Sequence, residues 1–141
     1  DENVPSEYDE EAVCQEIEDE LGVLPVRFAY RPKNLVLQEY WIKKDQDVIL
    51  RYVCGLNQLH IYISKDYNES SINFKMDGVL KDTIQVESLL MDVPVYEYED
   101  SKGNIYMQAS FEYLNTYYSF SGMIDEEEFE KILENIIIKN A

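Results

Sequence analysis

Four residues with binding chemistry are predicted to lie together on one face of a β-sheet: Tyr40, Arg51, His60 and Tyr62. Each alternates with apolar residues along one of three successive predicted strands, and alternate residues of a strand point to opposite faces. The patch would combine two aromatic rings, a permanent cation and a titratable imidazole. Because Arg and Tyr often carry much of the binding energy of interfaces, we predict a ligand-binding site at these four residues.

Catalysis at the same face is an alternative interpretation. His60 is the only histidine of the sequence. A general base needs a nucleophile or substrate group within hydrogen-bond reach, and a further group that orients it. No motif supplies those partners, so we predict no catalytic residue and a protein that is not an enzyme. A small enzyme that uses the face of Arg51, His60 and Tyr62 is the alternative.

The sequence predicts neither a bound metal nor a cofactor. The spacing of Cys14 and Cys54 matches no zinc site, which needs four clustered ligands. We expect two buried thiols, and a disulfide between the two cysteines is the alternative. The stretch from Asp66 begins like a calcium loop, but Ser71 stands where Gly is needed and Asp77 stands where a bidentate Glu is needed.

The elements that must position these residues begin with an acidic helix. Ser6 and Asp9 resemble a capping box, and the apolar stripe stops before Gly22, a residue typical of helix C-caps. Two hairpins follow, and their turns fix which residues lie opposite each other. Turns at residues 44–47 and 55–58 predict two cross-strand pairs, Trp41 with Leu50 and Tyr52 with Ile61.

The C-terminal half predicts two more hairpins and a closing helix. A loop at residues 100–103 places Tyr98 opposite Ile105, and a turn at residues 115–116 places Tyr113 opposite Tyr118. Apolar residues then keep helical spacing from Phe129 to Ile137, which predicts a helix that covers the apolar side of the sheet. Between the two halves, short strands are predicted at residues 72–76 and 83–87.

These elements predict a two-layer α+β fold, with an antiparallel meander sheet and an N-terminal and a C-terminal helix packed on one face. A chain of 141 residues fits one domain of ordinary size. We therefore predict a flexible acidic arm at residues 1–5 and a single domain at residues 6–141.

The charge distribution excludes several classes of partner. The net charge is −17, and residues 1–24 carry ten acidic residues and no basic residue. A nucleic-acid-binding protein needs a basic surface, so no nucleic-acid partner is expected. No apolar run is long enough to span a bilayer, so direct membrane insertion is not expected either. An acidic inhibitor or immunity-type protein that binds a basic partner remains an alternative function.

The C-terminal third carries a recognisable pattern. An aromatic strand ends in Tyr118-Ser119-Phe120-Ser121-Gly122, and a short helix with an acidic cap follows from Asp125 to Phe129. This pattern resembles an uncharacterised extracytoplasmic domain family of Gram-positive bacteria, the domain of unknown function DUF4367, matched mainly by the C-terminal third. Leu21-Gly22 followed by Pro25 is similar too.

The resemblance implies a location and no activity. It implies an extracytoplasmic domain tethered to the cell membrane through a segment outside these 141 residues. A cytoplasmic location is the alternative, and it goes with the acidic inhibitor. The resemblance implies no catalytic residue. The predicted function is therefore a non-enzymatic binding or sensory module for an unknown protein, peptide or glycan partner.

Overall fold

The computed structural model describes residues 8–65 and 78–140 and confirms the predicted α+β class. Within these residues, two α-helices and a short 3-10 helix (Glu87–Leu89) accompany a seven-stranded antiparallel sheet and a two-stranded ribbon. The helices and strands are α1 (Glu10–Leu21), β1 (Val26–Phe28), β2 (Val36–Lys43), β3 (Asp47–Cys54), β4 (Asn57–Ser64), β5 (Val79–Val86), β6 (Met91–Glu99), β7 (Ile105–Tyr113), β8 (Thr116–Met123), α2 (Glu126–Glu134) and β9 (Ile136–Ile138).

The large sheet consists of two meanders that meet in its middle. Its strand order is β2-β3-β4-β8-β7-β6-β5, so β4 of the first meander pairs with β8, the last strand of the second. The ribbon pairs β1 with β9 and joins the beginning of the chain to its end. Because each large-sheet hairpin connects neighbouring strands, local turns set most of the sheet register.

Helix α1 begins and ends with the caps that its sequence favours. The Asp9 carboxylate accepts hydrogen bonds from the backbone N–H groups of Glu11 and Ala12, at 3.0 and 3.4 Å. Asp9 is therefore the N-cap instead of the predicted Ser6, which lies outside the described residues. Gly22 ends the helix at φ 70°, a conformation that glycine adopts without steric cost.

The core lies between the sheet and the two helices. The buried stripe of α1 and the buried residues of α2 belong to the same apolar cluster as the inward residues of the strands. Leu50 and Ile61 on the first meander and Phe120 and Ala109 on the second are among those inward residues. We call this side of the sheet the inner face and the opposite side the outer face.

The C-terminal helix is shorter than predicted. It ends at Glu134, where Asn135 caps it by donating a side-chain hydrogen bond to the Lys131 carbonyl at 2.8 Å. Ile136–Ile138 then form β9, although Ile136 and Ile137 fit the helical spacing. Three β-branched residues favour a strand, and pairing with β1 satisfies their backbone groups.

Two predicted registers are wrong by one residue, and each error reverses the faces of the strand residues next to the loop. In β2 the reversal stops at a bulge after Leu37, which stays on the inner face. Trp41 lies opposite Ile49 instead of Leu50, because the loop spans only residues 44–46 and has Asp45 at φ 62°. Tyr98 lies opposite Tyr106 instead of Ile105. In that hairpin the loop contains one more residue, since Asn104 bonds to the Asp100 carboxylate through both its backbone and side-chain N–H groups.

Two other predicted registers are wrong by two residues and keep the faces unchanged. Tyr52 lies opposite Leu59 across the turn Gly55-Leu56, and Phe111 lies opposite Tyr118 across the turn Leu114-Asn115. A shift of two positions preserves which side chains point inward, because the side-chain period of a strand is two. The apolar inner face of β3, β4, β7 and β8 is therefore the predicted one.

The segment between the two meanders was predicted only in part. The proposed strand at residues 72–76 and the calcium-like residues Asp66, Ser71 and Asp77 lie outside the described residues. The other proposed strand, at residues 83–87, is part of the longer strand β5 except for Glu87, which begins a short 3-10 helix. Strand β5 forms one edge of the sheet, and β2 forms the other.

A cluster of three carboxyl groups lies where α2 packs on β5. Glu130 and Glu126 of α2 share it with Asp82 of β5. Burial, followed by hydrogen bonds and charge repulsion from the two neighbours, raises the pKa of Glu130 to about 8. A carboxyl group whose pKa is raised in the folded state stabilises it fully below the unfolded pKa of about 4.5, and this contribution is lost as pH rises through about 8.

We therefore expect Glu130→Gln to stabilise the protein at alkaline pH. At pH 5 the variant should unfold at nearly the same temperature as the wild type, because a protonated carboxyl and an amide are both neutral. At pH 8.5 it should be more stable by roughly 1–2 kcal/mol, because solvent screens much of the full linkage energy at this partly exposed residue. Thermal unfolding across this pH range is the measurement, with Glu127→Gln on the exposed side of α2 as the control. An equal effect at both pH values would contradict the expectation.

Candidate binding sites

The structure brings three of the four predicted site residues together on the outer face. Arg51 of β3 lies directly opposite His60 of β4, and Tyr62 follows two residues later on the same strand and face. Tyr40 lies elsewhere. It pairs with Leu50 on the inner face, packs against the core, and donates a hydrogen bond to Glu16 of α1 at 2.7 Å. The one-residue error in the β2–β3 register accounts for its misplacement.

Arg51 and His60 are less available than the sequence predicts. The Arg51 guanidinium forms an ion pair with Glu39, its cross-strand neighbour on β2. His60 is half-buried, and burial followed by the nearby Arg51 charge lowers the pKa of its imidazole. The imidazole is therefore held neutral near physiological pH. Arg51 therefore contributes a cation that Glu39 already neutralises. His60 contributes one hydrogen-bond donor and one acceptor without a charge.

Tyr62 is fixed in orientation by its neighbours. Its hydroxyl donates a hydrogen bond to the Asp47 carboxylate of β3 at 3.0 Å, and its ring packs edge-on against Tyr117 of β8 at 6.2 Å. A ring held in this way loses little conformational entropy when a partner packs against it. Tyr62 can therefore act as a rigid contact surface.

The outer face carries an exposed apolar row that the sequence did not predict. Trp41, Ile49 and Tyr62 lie directly opposite one another on β2, β3 and β4, and we call them the aromatic stripe. The side chains of Trp41 and Ile49 are 51% and 38% exposed. The stripe was missed because the predicted register placed Trp41 on the apolar face. Ile49 stands between two other apolar residues, Val48 and Leu50, so the sequence does not indicate that Ile49 is exposed.

The outer face is buried farther along the sheet. Gln108 and Ser119, on β7 and β8, are both only 5% exposed, and the Gln108 amide donates a hydrogen bond to the Ser119 hydroxyl at 3.3 Å. Ser64 of β4 is buried too. The middle of this face is therefore closed, and its exposed residues lie toward the two edges, with the aromatic stripe at the β2–β3 edge and Leu80, 56% exposed, at the β5 edge.

A cleft of about 670 Å³ opens on the other side of the molecule, between the start of α1, the β1–β9 ribbon and the edge of the core. Val26, Phe28, Tyr52 and Ile137 form its apolar part. The rings of Phe28 and Tyr52 pack edge-to-face at 5.3 Å. This volume is within the range of small-molecule sites in proteins. The sequence did not predict the cleft, because it depends on the long-range pairing of β1 with β9.

Charged side chains of both signs surround this cleft. Arg27 and Arg31 lie on and just after β1, and they form ion pairs with Glu11 and Glu10 of α1, respectively. The Arg31 guanidinium also lies over the Phe28 ring, 5.6 Å from its centroid. Both arginines therefore line the cleft, each in contact with a carboxylate.

Both cysteines are free thiols. Cys14 of α1 is buried and lines the cleft, and burial raises the pKa of its thiol despite the nearby Arg27 charge. Cys54 is half-buried at the end of β3, and burial raises the pKa of this thiol as well. Across residues 8–65 and 78–140, no group of three or more His, Cys, Asp or Glu side chains is arranged to hold a metal ion.

No helix in the described part of the chain has the length and apolar character needed to cross a membrane.

Comparisons with known proteins identify a family. Among solved structures, the chain is similar to one described as the crystal structure of MucB in complex with MucA(peri), with 11% sequence identity and a TM-score of 0.43. The match covers 82% of this chain and 37% of the other. A search of curated proteins gives no significant match. Residues 25–136 match the family described as "Domain of unknown function (DUF4367)", well beyond the C-terminal third from which the resemblance was predicted. The chain therefore belongs to the DUF4367 family.

Proposed function

We propose that this domain is a non-enzymatic extracytoplasmic module that binds a protein partner through the aromatic stripe. The location is the one that the sequence resemblance implies, with a membrane tether outside these 141 residues. The observation that carries the proposal is the position of Trp41 and Ile49, which are exposed in one row beside Tyr62 on three adjacent strands.

The composition and surroundings of the stripe support a protein contact. Trp and Tyr are enriched among the residues that dominate binding energy, and such residues cluster in the middle of an interface inside a polar rim. The polar rim here consists of two cross-strand groups, the Glu39–Arg51–His60 row on one side and the Lys43–Asp47 pair on the other. A partner would cover the apolar row and leave these charges near water.

The surroundings of His60 support a binding role over catalysis. Ser121 of β8 lies directly opposite His60, yet among the described residues no hydrogen bond joins the two side chains. A Ser–His pair that performs nucleophilic catalysis needs that contact, or its close approach in the substrate complex. We therefore assign His60 to the polar rim of the stripe.

The expected result of removing the stripe is loss of binding with the fold intact. Trp41→Ala should change the unfolding free energy by only about 0.5 kcal/mol, because half of the side chain is already exposed. The measurement is quantitative recovery of proteins from the native cell envelope by the immobilised domain. Proteins that the wild type captures should be depleted at least roughly tenfold with Trp41→Ala.

The matched control is Leu56→Ala, which removes a fully exposed apolar side chain from the β3–β4 turn. This variant should capture the same proteins as the wild type. Equal capture by wild type, Trp41→Ala and the control would overturn the proposed docking surface.

A further inference from the structure

The cleft beside α1 is a second binding site, and its chemistry differs from that of the aromatic stripe. We propose that it binds a small organic carboxylate with an aromatic or aliphatic body, and that Glu10 and Glu11 occupy the carboxylate positions when no ligand is bound. The proposal uses other residues than the protein-docking function and does not depend on it.

The first observation is an unsatisfied donor in the wall of the cleft. The Arg27 side chain is 18% exposed, and its Nε is buried without a hydrogen-bond partner among the residues that the structure describes. A buried donor without a partner costs free energy, so a small shift of the Arg27 side chain that brings Nε to a ligand oxygen would gain a charge-assisted hydrogen bond. The other side of this guanidinium is in contact with Glu11.

The second observation is that carboxylates already fit this wall. Glu10 faces Arg31 through two parallel contacts, Oε1 to one terminal nitrogen at 3.1 Å and Oε2 to the other at 3.2 Å. This two-point geometry is how guanidinium groups recognise planar carboxylates. Glu11 is 68% exposed, so its side chain can move into solvent and give its place on Arg27 to a ligand.

The third observation defines the body of the ligand. Apart from the arginines, the cleft is lined by Phe28, Tyr52, Val26 and Ile137. Phe28 is half-buried and offers its ring to the cleft, with Arg31 over one side. An apolar group beside the carboxylate would therefore replace water on an aromatic surface. A fully hydrophilic anion would use the arginines but leave this surface wet.

The two roles of Glu11 and Arg27 predict opposite effects of two substitutions. Arg27→Met keeps the apolar stem and removes the donors, so binding should weaken by at least roughly tenfold. Glu11→Gln removes the competing carboxylate from Arg27. Because a partly exposed ion pair contributes little, binding should become about two- to fivefold tighter. Removal of any acid could strengthen the binding of an anion through long-range electrostatics. Competition by Glu11 is shown only if removal of a distant acid leaves the affinity unchanged.

The probe is 4-phenylbutyrate, with the neutral 4-phenylbutyramide as its matched analogue, and affinity is measured by calorimetric titration. Glu127→Gln on α2 supplies the distant-acid control. The slow reaction of Cys14 with a neutral maleimide at alkaline pH, in a Cys54→Ser background, reports the position of the ligand, since Cys14 is buried but lines the cleft. We expect binding of the carboxylate alone, protection of Cys14, weakening by Arg27→Met and tightening by Glu11→Gln.

Three results would overturn the inference. The amide could bind as tightly as the carboxylate, which would leave the arginines without a role. The carboxylate could bind without protecting Cys14, which would place it elsewhere. Glu11→Gln could leave the affinity unchanged, and this result would overturn the inference even if Arg27→Met does not fold. None of them bears on capture of proteins through Trp41, so the two proposals fail independently.

Discussion

Gly122→Ala is expected to destabilise the protein by roughly 3–5 kcal/mol, although it adds a single methyl group. Gly122 lies in the middle of the large sheet, where β8 pairs with both β4 and β7. A Cβ atom at this position would overlap the backbone carbonyl oxygen of Gln58 and lie 3.2 Å from the Leu59 Cα atom. These are backbone atoms of β4 and cannot rotate away, so the strands must separate to make room.

A second glycine provides the control for this substitution. Gly55 has φ +62° and no atom within 4 Å of an added Cβ. Gly55→Ala should therefore cost only about 1–2 kcal/mol, the price of a side chain in the left-handed region. Chemical denaturation of both variants gives the two free energies. Equal losses would mean that β4 and β8 do not approach as closely at Gly122 as described.

This glycine gives a physical reason for part of the family pattern. Tyr118-Ser119-Phe120-Ser121-Gly122 ends with glycine because the neighbouring strand occupies the space of a side chain there. The alternation within the same segment places Tyr118 and Phe120 in the core and Ser119 and Ser121 on the outer face. The pattern therefore records the packing of one central strand and carries no information about a ligand.

The sequence predicted the fold class well because alternation and helical spacing are local properties. The inner-face residues of β3, β4, β7 and β8 follow from a period of two, and an error of two residues in a turn leaves them unchanged. Errors of one residue came from loop details, namely the left-handed Asp45 and the bonds of Asp100 to Asn104. The first of these errors moved Tyr40 and Trp41 to the wrong faces.

The binding surfaces were harder to predict, because they depend on loop details and on long-range strand pairing. Arg51, His60 and Tyr62 were placed together correctly because adjacent strands carry them, while ligand binding by them remains a prediction. The aromatic stripe depended on a single register. The cleft depended on β9, whose isoleucines also fit a helix, and on its pairing with β1 across the whole sequence. Such long-range pairing has no local signature in one sequence.

Phe120→Ala is expected to destabilise the protein by about 3–5 kcal/mol and to lower its unfolding temperature by roughly 10 °C or more. Phe120 is fully buried at the centre of the inner face, between Ile61 of β4 and Ala109 of β7, and its ring packs 6.0 Å from that of Phe111. With small Ala109 on one side, few neighbouring atoms can fill the space that the ring leaves.

The helix that covers this face should show the same sensitivity. Ile132 of α2 is fully buried, and Ile132→Ala is expected to cost about 2–5 kcal/mol, whereas Leu114→Ala at the exposed β7–β8 turn should change stability by only about 0.5 kcal/mol. Thermal and chemical unfolding of the three variants test the packing of α2 on the sheet, with one buried substitution in each layer. If Phe120→Ala unfolds early while Ile132→Ala behaves like Leu114→Ala, the sheet has its core but α2 does not cover it. If both buried substitutions behave like the exposed one, the packing of α2 on the inner face is wrong.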